Sequence, residues 1–397
     1  MKYRMKSDLL YISNHIIRIL VCVSLLIFVT PHVHSQINWE EYKEPNGQIQ
    51  RLTIDPRITF SSTDNSFNVT NSFRSQFLTR YSLSIVKENH ISNLFISNNL
   101  VYNKVSETSF RFESDFFFDY NYTFYINKRR GLFLRTQPTF SYDFRKRGGD
   151  DSSNENQLNS PVLVGFGRLE NISTVYQAIR IERELYDNYN YDQDKVFNVA
   201  RSLRSLDYNN ALDTRMRTVE NNTKYLELLD SYGYDVESFF DISNAIDAFR
   251  FERPNFIFQG YEISAGLLPR FSFGANEDSD IVALFNAVYA KALSDKWHWS
   301  VNGQLTYDFI NYDLVDDFIV LSNTLSYLPT ARTNIRFSQR YFRSDSFESF
   351  DFSVGVDYFV SPQLNLFLSS GFNITDTRVQ NNLKSFSHDM GLKYFFF

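Results

Sequence analysis

Apolar and polar residues alternate with period two along most of this chain, and that alternation decides what it can fold into. Phe67, Val69, Phe73, Phe77, Tyr81, Leu83 and Ile85 share one parity; Asn68, Thr70, Ser72, Arg74, Gln76, Arg80, Ser82 and Ser84 hold the other. Phe110, Phe112, Phe116, Phe118, Tyr120, Tyr122 and Phe124 repeat the pattern against Arg111, Glu113, Asp115, Asp119 and Asn121. Trp297, Trp299, Val301, Leu305 and Tyr307 do so against His298, Ser300, Asn302 and Gln304. Successive side chains of a strand point to opposite faces, so one face of each strand meets an apolar phase and the other does not. Strand starts read near Arg51, Phe67, Ile91, Thr108, Gly131, Gln157, Asn255, Ile281, Trp297, Asp317, Thr333, Glu348, Gln363 and Lys384. The expected count is about fourteen, within roughly 12–16, because the first strand and the one near Ile281 alternate weakly.

Composition supports strands that cross an apolar phase. Aromatics make up 17% of residues, yet the mean hydropathy is negative, as expected when only every second strand position is apolar. Past the N-terminus no apolar run reaches the length of roughly 18 residues that a transmembrane helix needs. Lys2, Arg4, Lys6 and Arg18 precede an apolar stretch from Ile19 to Val29, and Val33 and Ser35 suit a cleavage site before Gln36. Residues 1–35 therefore read as a secretory signal peptide; the rival reading is a retained anchor. Cys22 is the only cysteine and lies inside that stretch, so the mature chain is expected to have no disulfide and no thiolate metal site. Removing residues 1–35 takes away four basic residues and one acid, moving the formal charge from -6 to -9. A mildly acidic chain of this kind has no general attraction for nucleic acid.

Residues 168–253 break the alternation, and their period changes to 3.6. Asn171 or Ser173 caps a helix bearing Val175, Ala178, Ile179 and Leu185; Asp192 or Asp194 caps one bearing Val196, Phe197, Ala200 and Leu203. Val219, Tyr225, Leu226 and Leu229 mark a third, stopped by Gly233, and Phe239, Ile242, Ala245, Ile246 and Phe249 a fourth, ended before Pro254. Caps and stop signals agree with these spacings. The organisation expected is a signal peptide (1–35), an N-terminal segment (36–50), strands 1–6 (51–167), a helical insertion (168–253) and strands 7–14 (254–397). Even-numbered turns such as 87–90 and 127–130 read as short, and odd loops such as 145–160 and 373–385 as long and polar. Short turns on the periplasmic side and longer outer loops are the usual asymmetry, which puts the insertion on the periplasmic side.

The polar face carries the candidate functional residues: Arg74, Arg80, Arg111, Glu113, Asp115, Asp119, Arg135, Arg336, Arg340, Asp351 and Asp357, joined by Glu262 and Arg270. Two readings stand side by side. Either these residues line a conducting lumen, or they fill the interior with ion pairs; their mixed signs favour neither cation nor anion. The mature histidines are only His90, His298 and His388, and their positions suggest no Ser–His–Asp set. No phosphate loop or zinc spacing is present. Neither an enzyme nor a cofactor is expected, with a hydrolase the most remote alternative.

The last strand places Phe386, His388, Met390, Leu392, Tyr394 and Phe396 on one face against Ser385, Ser387, Asp389, Gly391 and Lys393. With the signal peptide and the alternating strands, it resembles the Gram-negative outer-membrane β-barrel proteins as a class. The resemblance implies an antiparallel all-β transmembrane barrel, contact with outer-membrane lipid, and engagement of the barrel-assembly machinery through Met390, Leu392, Tyr394, Phe396 and Phe397. Phe397 lies one residue beyond the usual closing phase. The leading expectation is a porin-like or export-associated channel, gated by the periplasmic helices or docking a periplasmic protein at residues 168–253. The alternative is a non-conducting barrel that anchors the helical module.

Overall fold

In the computed structural model, strands β1 (Gly47–Asn65), β2 (Asn68–Val86), β3 (His90–Lys104) and β4 (Phe110–Tyr125) lead to β5 (Leu132–Thr136), β6 (Thr139–Arg147), β7 (Ser153–Asn159) and β8 (Val162–Asn171). Helices α1 (Ser173–Leu185), α2 (Gln193–Tyr208) and α3 (Thr214–Ser231) follow. The second half contains β9 (Phe258–Gly274), β10 (Asp278–Ala292), β11 (Trp297–Asp308), β12 (Phe318–Thr330), β13 (Thr333–Arg343), β14 (Phe347–Ser361), β15 (Leu364–Thr377) and β16 (Leu383–Tyr394). The structure describes residues 37–394 apart from 66–67, 105–109, 127–130, 148–152, 187–191, 209–213, 235, 237, 239–240, 244, 247–256, 275–277, 309–317, 331, 345–346, 362–363 and 378–382. Residues 1–35, read as a signal peptide, lie outside the described residues, as do Phe396 and Phe397 and most of the fourth expected helix.

Every pairing in the sheet is antiparallel between neighbours along the path β1-β2-β3-β4-β5-β8-β9 and on to β16. β6 and β7 lie off this path, β6 pairing β4 and β7 pairing β9. β5 and β6 are thus two halves of one strand, and so are β7 and β8. Among the described residues, sixteen segments occupy fourteen ladder positions, the number read from the alternation. Each ladder position begins within a few residues of one expected start; Phe67, Thr108, Asn255, Asp317 and Gln363 themselves lie outside the described residues.

Prolines cause the interruptions. Thr136 faces Val162 and Thr139 faces Asn159, so the register passes through Gln137-Pro138 and Ser160-Pro161 without a bulge. At this level Tyr120 N–H donates to Pro138 O at 3.0 Å, Gln137 N–H to Pro161 O at 3.3 Å, and Ser160 N–H to Pro269 O at 3.1 Å. Each pair keeps one of the two bonds that such a pair exchanges, because proline has no N–H to return.

Both faces of the sheet follow the expected parity. Leu132, Leu134, Val162, Val164, Phe166, Ile263, Leu267, Phe285, Leu305, Leu366 and Leu368 stand exposed on one face. On the other, side chains reach past neighbouring strands to one another: Arg135 of β5 pairs with Glu262 of β9 across β8. That face is the concave one, and the exposed apolar face is the outer wall of an antiparallel barrel.

Two expectations need correction. The segment 145–160 is mostly strand rather than loop: β6 continues to Arg147 and β7 starts at Ser153, paired Arg145 to Ser153 through Thr139 to Asn159. Asn373–Thr377 likewise belong to β15 and Leu383–Ser385 to β16. Polar residues on both faces of these rungs hid the pairing. The contrast in loop length at the two ends is therefore smaller than the sequence suggested. The helical insertion also begins later than residue 168. β8 stays paired with β9 out to Asn171 opposite Phe258.

Glycines permit that extension. Gly167 has φ +103° and Gly260 φ +122°, a region that side chains with a Cβ avoid. Up to Gly167 the burial of β8 alternates; from Arg168 onward the alternation is lost, and Arg168, Glu170 and Asn171 are all buried. The hairpin therefore leaves the wall and is covered on both faces as it delivers α1. A Cβ on Gly260 would lie 2.4 Å from Arg168 O, whereas one on Gly355 would meet nothing within 4 Å. Gly260→Ala should cost about 1–3 kcal/mol and Gly355→Ala less than about 0.5 kcal/mol. Urea unfolding of the folded protein in detergent checks both.

Candidate functional site

All eleven lumen candidates lie on the concave face. The registers place Arg74 and Arg80 on β2, Arg111, Glu113, Asp115 and Asp119 on β4, Arg135 on β5, Arg336 and Arg340 on β13, and Asp351 and Asp357 on β14. The structure brings some of them together. Arg111 pairs with Glu113 two residues on, and Arg336 NH2 lies 2.7 Å from Asp357 Oδ2. Asp115 Oδ2 accepts from Asn99 Nδ2 at 3.0 Å, and Asp119 from Gln137 Nε2 at 3.3 Å. Arg340 stands directly opposite Asp351 in register, but Asp351 is hydrogen-bonded to Asn373 on its other side. Arg74 and Arg80 join none of these pairs.

The concave face is packed in one sector and open in another. Thr123, Tyr125, Phe133, Leu163, Arg168, Glu262, Ser264, Val282, Leu284, His298 and Thr306 are buried across β4, β5 and β8–β11. Arg135 stitches this sector, donating from Nε to Thr123 Oγ1 at 2.8 Å and from NH2 to Glu262 Oε2 at 2.8 Å, with its guanidinium over the Phe133 ring. His298 Nε2 lies 2.8 Å from Phe258 O, which makes it a packing residue. Arg74, Arg80, Arg111, Asp115, Arg336 and Arg340 are exposed on the same concave face.

The helices lie against one rim. Thr174 through Glu182 are all buried, so α1 is enclosed on every side. Tyr176 Oη donates toward Ser294 O and Trp297 O at the β10–β11 turn. Arg183 bonds Asp295 Oδ2 at 3.2 Å and Pro329 O at 2.9 Å, joining the β10–β11 and β12–β13 turns. Arg168, beneath the module, donates to Glu88 O of the β2–β3 turn at 3.0 Å and sits over Tyr125. Local capping fits the sequence in part. Asp192 Oδ1 accepts from Asp194 N–H and Lys195 N–H at the start of α2, and Gly233, at φ +71°, follows α3. At α1, Asn171 Oδ1 accepts from Ser173 N–H, while Ser173 Oγ accepts from Ile257 N–H and ties the two ends of the insertion together.

Sequence reasoning missed the role of the N-terminal segment. Ile37, Trp39 and Tyr42 enter the same buried cluster as Val175, Tyr176, Ile179, Val196, Phe197, Leu203, Tyr225 and Leu229. Trp39 stacks on Tyr176 with centroids 4.8 Å apart, and Tyr42 Oη lies 3.1 Å from Thr174 Oγ1. Burial pushes the Tyr42 phenol well above its usual range, so it keeps its proton. Glu44 accepts from Arg204 Nε at 2.9 Å, and its N–H donates to Glu170 Oε2 at 3.3 Å. Glu170 in turn pairs with Arg168 at 3.2 Å. The segment shows no periodicity, and only its two aromatics among charged residues hinted at burial.

Among the described residues, no group of three His, Cys, Asp or Glu is placed to hold a metal ion, and no helix is long and apolar enough to cross a membrane.

No protein-family model matches the sequence, and no curated protein does so either. Solved structures align with much of the chain at low similarity. The ferric yersiniabactin uptake receptor FyuA from Yersinia pestis is 8% identical over 85% of this chain and 51% of its own, with a TM-score of 0.30. This chain thus spans about half the length of that receptor. The outer membrane protein OprD from Pseudomonas aeruginosa is 7% identical over 91% of this chain and 97% of its own, at 0.28. The CymD monoaromatic hydrocarbon channel is 10% identical over 89% of each chain, at 0.26.

Proposed function

We propose that this chain is an outer-membrane channel whose helical module, held across one end of the barrel, gates it from the periplasm. One observation carries the reading: α1 is wholly buried against the β10–β11 and β12–β13 turns, while exposed arginines and an exposed aspartate remain on the concave face. A barrel that only fills itself has no reason to keep exposed guanidiniums inside. The convex apolar band supports contact with outer-membrane lipid, since aqueous surroundings would make so many exposed Leu, Val and Phe residues costly. On this reading β16 engages the barrel-assembly machinery, and the role is transport rather than catalysis.

A second reading has its own support. The packed sector behind Tyr125 and Phe133 narrows the lumen, as a non-conducting anchor for the helices would require. Electrical recording separates the two. The refolded chain with residues 172–257 replaced by a short turn should conduct steadily, and the full chain should be closed for most of the time. A truncated barrel that folds and stays silent would sink the channel reading.

The buried node of Glu44 and Arg204 gives a separate check. Removing one partner of a buried ion pair leaves a charge uncompensated, at about 3–5 kcal/mol. Arg204→Ala should therefore loosen the N-terminal segment and the helices without unfolding the barrel. Limited proteolysis should cut within residues 37–46 or 187–213 at least about tenfold faster than in the parent chain, while the barrel keeps its heat-resistant mobility in electrophoresis.

A further inference from the structure

Phe116, Phe117 and Phe118 are consecutive in β4. With Phe116 and Phe118 on the convex face, Phe117 points inward. Its ring centroid lies 6.1 Å from that of Phe95, which the register also places on the concave face, opposite Asp119. Phe117 is 37% exposed. Among the described strand residues, the other exposed large apolar side chains all stand on the convex face. Phe117 therefore offers an aromatic face to the interior, where the wall around it is polar.

The neighbours of that ring are small or polar. Ser97 stands opposite Phe117 on β3 and Ser141 opposite it on β6, and a serine is too short to cover the ring. Asp115 and Asp119 lie two residues to either side of it on the same face. Asn99 and Gln137 donate to these carboxylates. A neutral amide orients a carboxylate, leaves its charge in place, and leaves it lone pairs for further donors. Arg80 stands opposite Ser97 on β2, two ladder spacings or about 10 Å from Phe117. Arg80 and Asp115 are both exposed.

The geometry points to a saccharide subsite on this wall: Phe117, backed by Phe95, carries one face of a sugar ring, and Asp115, Asp119 and Arg80 hold its hydroxyls. In role the inference rests on the channel reading, and it gives that channel a solute class, neutral sugars. The mixture of groups selects this class. The C–H groups on a pyranose face carry slight positive charge and suit the negative face of an aromatic ring. A hydroxyl both donates and accepts, so sugar hydroxyls donate to the carboxylates and accept from the guanidinium. A cation would meet Arg80, and an anion would meet Asp115 and Asp119. A hydrocarbon ring would strip water from these charges and return no hydrogen bond.

Equilibrium binding and ion current, both measured on the full mature chain, test this. Maltotriose and cellotriose are the probes, with spermidine, citrate and benzyl alcohol as charged and apolar comparisons, in a detergent that has no sugar headgroup. Saturation-transfer NMR should show at least one trisaccharide bound, more tightly than any of the comparisons. Phe117→Ala should weaken that binding by roughly fivefold or more, and Phe117→Trp should retain it. Asp115→Ala should weaken it by roughly tenfold. Heat-resistant mobility in electrophoresis shows that each variant has folded. In a planar bilayer the same trisaccharide should reduce the current of the parent and leave that of Phe117→Ala nearly unchanged. Neither trisaccharide bound, a comparison compound bound as tightly, or binding unmoved by Phe117→Ala overturns the subsite and leaves the channel standing. A folded chain that binds the sugar through Phe117 but passes no ion, even with residues 172–257 removed, overturns the channel and leaves the subsite standing.

Discussion

Every strand of this protein depends on one constraint: within a hydrocarbon layer, backbone N–H and C=O groups have no water to turn to. An antiparallel ladder satisfies them only where a strand has a neighbour on both sides, as β2 through β15 have here. The sheet tolerates little departure from this rule, and its exceptions are informative. Pro138, Pro161 and Pro269 fall at one level of three adjacent ladder positions. Each removes one donor, yet Pro138, Pro161 and Pro269 still accept through their carbonyls. Concentrating three defects at one level leaves the rungs above and below intact. Polar side chains on the concave side, Gln137 with Asp119 and Arg135 with Glu262, cross the same sector and add contacts there.

The fold was legible because an exposed apolar wall constrains every second residue. Parity alone placed Arg111, Glu113, Asp115 and Asp119 on one face and Phe116, Phe118 and Phe124 on the other, and the registers agree. It failed where both faces are polar, as at Ser153–Asn159, since a strand that projects beyond the apolar layer no longer needs alternation. It also failed at Arg168–Asn171, where Arg168, Glu170 and Asn171 are buried although polar. The helices were legible through their 3.6 period and the Asp192 cap. The N-terminal segment was not, because an extended stretch that completes another element's core has no period of its own. Nor could the sequence say which lumen charges are paired, because that depends on cross-strand neighbours such as Asn99 and Asn373, which lie far from their partners in the chain.

The link between wall and cover is the β8–β9 hairpin. Gly167 and Gly260 let the pairing continue while the two strands leave the wall, so the module is carried on a paired ladder rather than on two flexible linkers. That explains how α1 can be enclosed and still be fixed to turns several strands away. A helix on loose connections would pay more ordering entropy to reach the same place. The module's other tie, residues 37–44, joins it to β1 and shows no strand pairing before Gly47.

The charged node between these two ties, Arg168–Glu170 and Glu44–Arg204, is better understood as a determinant of arrangement than as a source of stability. Buried ion pairs recover little more than their desolvation cost, but a pair that loses one member is strongly penalised. Glu44 and Glu170 are both acidic and meet through the Glu44 N–H, so each needs its own arginine to be tolerated at such burial. A position of the N-terminal segment shifted by one residue would leave two carboxylates and two guanidiniums mismatched in a nearly dry site. The apolar anchors Trp39 and Tyr42 supply attraction that depends little on register, whereas the node admits one register only. The node therefore favours one seating of residues 37–44 against the helices over any seating shifted along the chain, because each shifted seating leaves buried charges without their partners.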